Sequence, residues 1–169
     1  MHKAYTNIQA VTFLGLLLVL LQLAVPNISL VKEALYSTVF PSVLAELTNV
    51  DRETKKLPSL TINPLLQKAA QLKANDMAEK SYFAHISPQG RTPWFWLRKV
   101  GYNYHNAGEN LAVRFLDSTN VNDAWMNSTE HRNNILSSKY SEVGIATAKG
   151  IYKGKETEFV VQMFGDPKK

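Results

Sequence analysis

The stretch that decides the fold runs from Ala107 to Leu136 and contains AGENLA at 107–112 and WMNSTEHRNNIL at 125–136. Glu109 stands there among small and apolar residues, and the pattern predicts a strand near Glu109–Arg114. If that strand is buried, its carboxylate must be met by a cation, a histidine or backbone donors. An imidazole is the natural partner of this glutamate.

Around this stretch the sequence predicts helices first and a β-hairpin last. Asn63 and Pro64 are a typical cap and first residue of a helix, and Gly101 suits the end of another. Helices are predicted at Ser42–Lys56, with Ser42 as the cap, and at Pro64–Lys80, Trp94–Val100, Asp117–Met126 and Thr129–Leu136. Further strands are predicted at Glu142–Ala148 and Thr157–Phe164, joined by a turn around Lys153-Gly154. This order predicts a layered α+β domain.

The amino terminus differs from the rest of the chain. Residues 8–25 are apolar except for Gln9, Thr12 and Gln22, and as a helix they would reach about 27 Å, enough to cross a bilayer. The absence of a clear A-x-A pattern after them favours a transmembrane or uncleaved signal helix over a cleaved signal peptide. We therefore expect a membrane anchor at 1–25, a stem at 26–43, a domain at 44–165 outside the cytoplasm and a tail at 166–169; secretion after cleavage is the alternative.

Composition narrows the classes of function. The chain has 169 residues and no cysteine, which excludes disulfides, thiol nucleophiles and cysteine-bound metals. Its net charge of +5 comes from 19 Lys and Arg against 14 Asp and Glu. These basic residues are scattered along the chain instead of forming one tract, so no nucleic-acid partner is expected.

Six short motifs stand in a recognisable order. They are His85-x-Ser87-Pro88-x-Gly90, Gly101-Tyr102-Asn103, AGENLA at 107–112, Trp125-Met126-x-Ser128-x-x-His131-Arg132-x-Asn134-Ile135-Leu136, Val143-Gly144 and Val161-Gln162-x-Phe164-Gly165. Together they make residues 44–165 resemble the SCP-like extracellular domain of the CAP superfamily (cysteine-rich secretory, antigen 5 and pathogenesis-related proteins), in its cysteine-free bacterial form. The resemblance implies an α-β-α sandwich outside the cytoplasm, with a cleft of two histidines and two acids that can hold a divalent metal.

The resemblance assigns the cleft residue by residue. It implies that His85, Glu109 and His131 are metal ligands, whereas Ser128 stands where the family has its second acid. Glu130 directly precedes His131, and neighbours on a helix point about 100° apart, so we expect it outside the cleft. Two imidazoles, one carboxylate and a water would suit Zn²⁺ or another divalent ion. Ser128 is a cleft candidate that equally fits a plain helix cap.

Two further features have more than one interpretation. Arg132 could bind an anionic substrate or anchor a loop carbonyl. The Trp94-Phe95-Trp96 cluster could face lipid, although core packing is favoured.

Three functions are compatible with these residues. The preferred hypothesis is a membrane-anchored binding module with a metal-capable cleft for a lipid, glycan or peptide ligand. The alternative is a metal-dependent hydrolase, a peptidase or esterase that uses the same cleft. A purely structural domain is the third. No catalytic residue is assigned, because no pair of nucleophile and base can be placed.

Overall fold

The computed structural model describes residues 39–168. In this part of the chain, five helices and four strands follow one another. They are α1 (Pro41–Thr54), β1 (Thr61–Ile62), α2 (Pro64–Glu79), α3 (Pro93–Lys99), β2 (Tyr104–Val113), α4 (Ser118–Asn127), α5 (Thr129–Ile135), β3 (Glu142–Tyr152) and β4 (Lys155–Pro167). The predicted α+β order is confirmed.

The four strands form one sheet in the order β1-β3-β4-β2. β1 runs parallel to β3, and the other neighbours are antiparallel. β3 and β4 form the predicted hairpin, whose turn at Lys153 and Gly154 uses positive φ angles of 49° and 74°. β2, which carries Glu109, is an edge strand of this sheet.

Both faces of the sheet are covered by helices. Along β4, Phe159, Val161 and Met163 belong to a core that includes residues of α2 and α3. The intervening Val160, together with Phe164, belongs to a second core with residues of α1, α4 and α5. Because alternate side chains of a strand point to opposite faces, these two cores lie on opposite sides of the sheet. The α-β-α sandwich is therefore confirmed for the described residues.

A glycine lets α2 lie directly on β3. A Cβ added at Gly144 would come within 2.1 Å of the Gln67 backbone nitrogen and 2.2 Å of the Leu66 carbonyl carbon. A larger residue could not occupy this position without moving the helix away from the sheet.

The ends of the elements differ in places from the predicted ones. The Asn63 cap of α2 is confirmed, since its Oδ1 accepts from the Leu65 and Leu66 N–H groups at 2.8 and 3.3 Å. The predicted Ser42 cap is wrong: α1 begins at Pro41 after Phe40, because proline's fixed φ suits the first helical position. β2 begins earlier than predicted and ends one residue short of Arg114, β3 and β4 extend beyond their predicted bounds, and the two-residue β1 was not predicted.

The aromatic cluster of α3 packs mainly inward. Trp96 is 2% exposed and belongs to the first core, while Trp94 and Phe95 pack against it half-buried. The favoured core interpretation of this cluster is confirmed.

The predicted anchor at 1–25 lies outside the described residues, as does the stem up to residue 38. None of the helices found between residues 39 and 168 combines the length and apolar content that a bilayer span requires.

Candidate functional site

The centre of the site is a hydrogen-bonded pair of His85 and Glu109. Nδ1 of His85 lies 2.6 Å from Oε1 of Glu109, and because a carboxylate can only accept, the imidazole N–H is the donor. The Glu109 side chain is 2% exposed, whereas the His85 side chain is 55% exposed. The prediction that an imidazole meets this carboxylate is confirmed. With Nδ1 engaged, Nε2 is the ring nitrogen left for a ligand.

The pair has opposing electrostatic influences. Burial raises the pKa of Glu109, and the hydrogen bond from His85 and the positive charge of Lys73 act in the opposite direction. The hydrogen bond to Glu109 raises the pKa of His85 and outweighs the lowering effect of its own burial. The hydrogen bond thus favours the charged form of His85, while burial favours the protonated form of Glu109.

His131 and the helix that carries it are hydrogen-bonded to the edge strand β2. Asn110 Nδ2 donates to the His131 carbonyl at 3.2 Å. One turn later in α5, Asn134 Nδ2 donates to the Glu109 carbonyl at 3.2 Å and to Asn110 Oδ1 at 2.9 Å. Burial lowers the pKa of His131, and so does the positive charge of His85. The site thus combines a charge-favouring His85 with a His131 that favours its neutral form.

Three other residues of the motif at 125–136 also lie near the second histidine in sequence: Ser128, Glu130 and Arg132. Ser128 occupies the N-cap position of α5, but its hydroxyl makes no capping hydrogen bond. The negative charge of Glu130 is the smallest of the influences on the pKa of each histidine; it adds to the raised pKa of His85 and partly offsets the lowering that burial causes at His131. Arg132 Nη1 donates to the Met126 carbonyl at 2.8 Å, so it anchors the last turn of α4 and not a loop.

Sequence reasoning missed a buried lysine beside the pair. Lys73 is fully buried in α2, on a helix face that otherwise carries core residues such as Ala70 and Met77. Its charge acts on Glu109. The sequence does contain a signal for this residue, because a lysine in an apolar helical stripe needs a partner for its ammonium.

The predicted zinc site does not match this donor arrangement. Within residues 39–168, no group of three or more His, Asp or Glu side chains is placed to hold a metal ion. The Glu109 carboxylate turns instead to Nδ1 of His85, as carboxylates do behind a histidine ligand. Its Oε2 is buried without a hydrogen-bond partner in the described part of the chain. Zinc binding by His85, Glu109 and His131 stays a prediction.

Comparison with known proteins identifies the fold and its motifs. The sequence pattern of CAP, the cysteine-rich secretory protein family, matches residues 45–164. The chain belongs to the CAP family. Two Bacillus subtilis (strain 168) proteins are related to this CAP chain. Uncharacterized protein YkwD is 37% identical over 108 residues, 64% of this chain and 42% of YkwD. Uncharacterized membrane protein YlbC is 29% identical over 109 residues, 64% of this chain and 32% of YlbC. The chain thus spans less than half the length of either relative.

Solved structures share the CAP architecture. An extracellular protein containing an SCP domain from Bacillus anthracis str. Ames superposes with a TM-score of 0.64 at 29% identity, covering 74% of this chain and 39% of that one. An outer surface protein of Borrelia burgdorferi superposes with a TM-score of 0.66 at 23% identity, covering 75% and 92%. The second likeness concerns the fold alone.

Proposed function

We propose that this CAP domain is an extracytoplasmic binding module whose ligand contacts the His85–Glu109 pair, with His131 beside it. The ligand is a lipid, a cell-wall glycan or a peptide. Residues 8–25 tether the domain to the membrane.

The observation that carries the proposal is the contrast in exposure within the pair. A carboxylate that is 2% exposed costs stability unless it is compensated, yet the chain places it against an imidazole that is 55% exposed. Exposure of the imidazole avoids the desolvation cost that a fully buried ion pair would carry. It also leaves the ring accessible from solvent, with its orientation set by Glu109. That arrangement suits recognition of a polar group on a ligand.

Binding to three probes tests the proposal: purified peptidoglycan, phosphatidylglycerol vesicles and a random peptide library. The full chain is compared with His85→Ala and Glu109→Gln. His105→Ala is the matched control, because His105 is an exposed histidine of the same edge strand. We expect one probe to bind and both site variants to weaken binding more than about tenfold. If every probe binds wild type and site variants equally, the pair is not the binding centre.

The same variants separate binding from hydrolysis. Product release from a p-nitrophenyl ester or a labelled peptide, dependent on added zinc and lost in His85→Ala, would favour the metal-dependent hydrolase. The proposed binding module predicts retention of the probe without turnover.

The location of the domain is also part of the proposal. The related Bacillus anthracis protein is described as extracellular and YlbC as a membrane protein. Protease added to intact cells should therefore digest the domain of the full chain. If digestion requires cell lysis, the assigned orientation is wrong.

A further inference from the structure

The ammonium of Lys73 lies next to the loop that carries His85. Its Nζ donates to the Ala84 carbonyl at 2.7 Å, to the His85 carbonyl at 3.0 Å and to the Tyr82 hydroxyl at 3.2 Å. An ammonium has three N–H donors, so these contacts use all of them. No part of the Lys73 side chain reaches solvent, and water cannot replace these acceptors without a rearrangement.

The neighbouring groups fix the direction of these hydrogen bonds. The Tyr82 hydroxyl donates its proton to Oδ2 of Asp76 at 2.6 Å, which leaves only its lone pairs for Lys73. Asp76 in turn pairs with Lys80 and lies 3.7 Å from Arg91. Every partner of Lys73 is therefore an acceptor, and the contacts require a charged ammonium.

Two of the three acceptors determine where the imidazole goes. The carbonyls of Ala84 and His85 belong to the peptide groups on either side of the His85 Cα. Holding both groups fixes the direction in which the His85 side chain leaves the backbone. Glu109 cannot follow a displaced ring, because it is buried in a strand that is paired with β4. Small displacements of the loop would therefore break the 2.6 Å bond between the two side chains.

We propose that Lys73 is a positioning residue of the site: its ammonium holds the backbone around His85 so that the imidazole reaches Glu109. The role of that pair in binding rests on the proposed function, but the positioning itself does not require a ligand. The competing explanation is that Lys73 only stabilises the core and the loop, with no effect on the pair.

Nuclear magnetic resonance of the full chain in detergent, labelled with ¹⁵N-histidine, distinguishes the two explanations. In the wild type, the Nδ1 proton of His85 should resonate far downfield because of its short bond to Glu109. Lys73→Met keeps the length and apolar stem of the side chain and should abolish this resonance in a folded protein. Lys68→Met is the matched control on the exposed face of α2 and should retain it.

Tyr82→Phe provides a second, milder variant. It removes the hydroxyl contact and leaves both carbonyl contacts, so the downfield resonance should remain. The proposal is overturned if folded Lys73→Met keeps the resonance, or if Tyr82→Phe loses it.

If Lys73→Met does not fold, measurements on the wild-type protein and on Tyr82→Phe test the proposal. In wild-type protein labelled uniformly with ¹⁵N and ¹³C, scalar couplings across hydrogen bonds from Lys73 Nζ to the carbonyl carbons of Ala84 and His85 are expected, and their absence overturns the proposal. Failure of every probe to bind, with these resonances behaving as described, would refute the proposed function and leave the positioning role intact.

Discussion

Replacement of Arg52 by methionine should destabilise the domain strongly. Arg52 is 1% exposed in α1. Its guanidinium donates to the Pro58 carbonyl at 2.9 Å and to the Ile135 and Ser137 carbonyls at 2.8 Å each, with a longer contact of 3.4 Å to Tyr140. These bonds join α1 to the end of α5, the helix that carries His131. Methionine matches the length of the side chain but satisfies none of the acceptors.

The expected loss follows from the three short bonds. A hydrogen bond to a charged group contributes about 1.5–3 kcal/mol. Two of these acceptors are only partly buried, so water can compensate them in the variant. Removing a buried charge also recovers some of its desolvation cost. We therefore expect a net loss of about 3 kcal/mol in the free energy of unfolding. For a domain of about 130 residues, this lowers Tm by about 11 °C.

Thermal unfolding of the full chain, followed by circular dichroism, measures this loss. Arg98→Met is the matched control, because Arg98 is an exposed arginine of α3, and it should change stability by less than about 0.5 kcal/mol. If both variants lower Tm by the same few degrees, Arg52 does not join the two helices in the way its contacts indicate.

Three further predictions concern the site and its support. The folded pKa of His85 is raised, so its contribution to stability is complete below its unfolded value of about 6.5 and is lost as pH rises through the folded pKa. The free energy of unfolding, measured by urea titration, should therefore fall less with rising pH in His85→Gln than in the wild type. The zinc prediction requires His85, Glu109 and His131 to come together on the ion; calorimetry at neutral pH should then show binding that weakens more than about tenfold in His131→Ala and strengthens in Ser128→Glu, and no uptake by wild type refutes the metal cleft. Gly144→Ala should cost about 3 kcal/mol through the α2 clash, and a wild-type melting curve would contradict that packing.

Much of the fold could be predicted because local rules and tertiary packing agree. The side chain of Asn63 caps α2, and Gly154 takes the positive φ that the hairpin turn needs. The imidazole partner of Glu109 could be predicted for the same reason, since a carboxylate in a buried strand needs a compensating donor.

Other features depend on partners that are distant in sequence. β1 has only two residues and pairs with β3 about 80 residues later, so its short pattern carries no strand signal of its own. The direction of neighbouring side chains on a helix places Glu130 outside the cleft. Its charge still acts on both histidines, because charge acts over several ångströms and does not require a shared face.

Two asparagines in the motifs show why the order of the motifs along the chain is more informative than any single residue. Asn110 follows Glu109 in β2, and Asn134 follows His131 in α5; each is ordinary as a polar residue. In the fold, Asn134 bonds both the Glu109 carbonyl and Asn110, and Asn110 bonds the His131 carbonyl. The two motifs are thus joined through their asparagines, while the glutamate and the histidine are left for the site. The chemistry of the cleft depends on this backbone attachment as much as on the side chains that face a ligand.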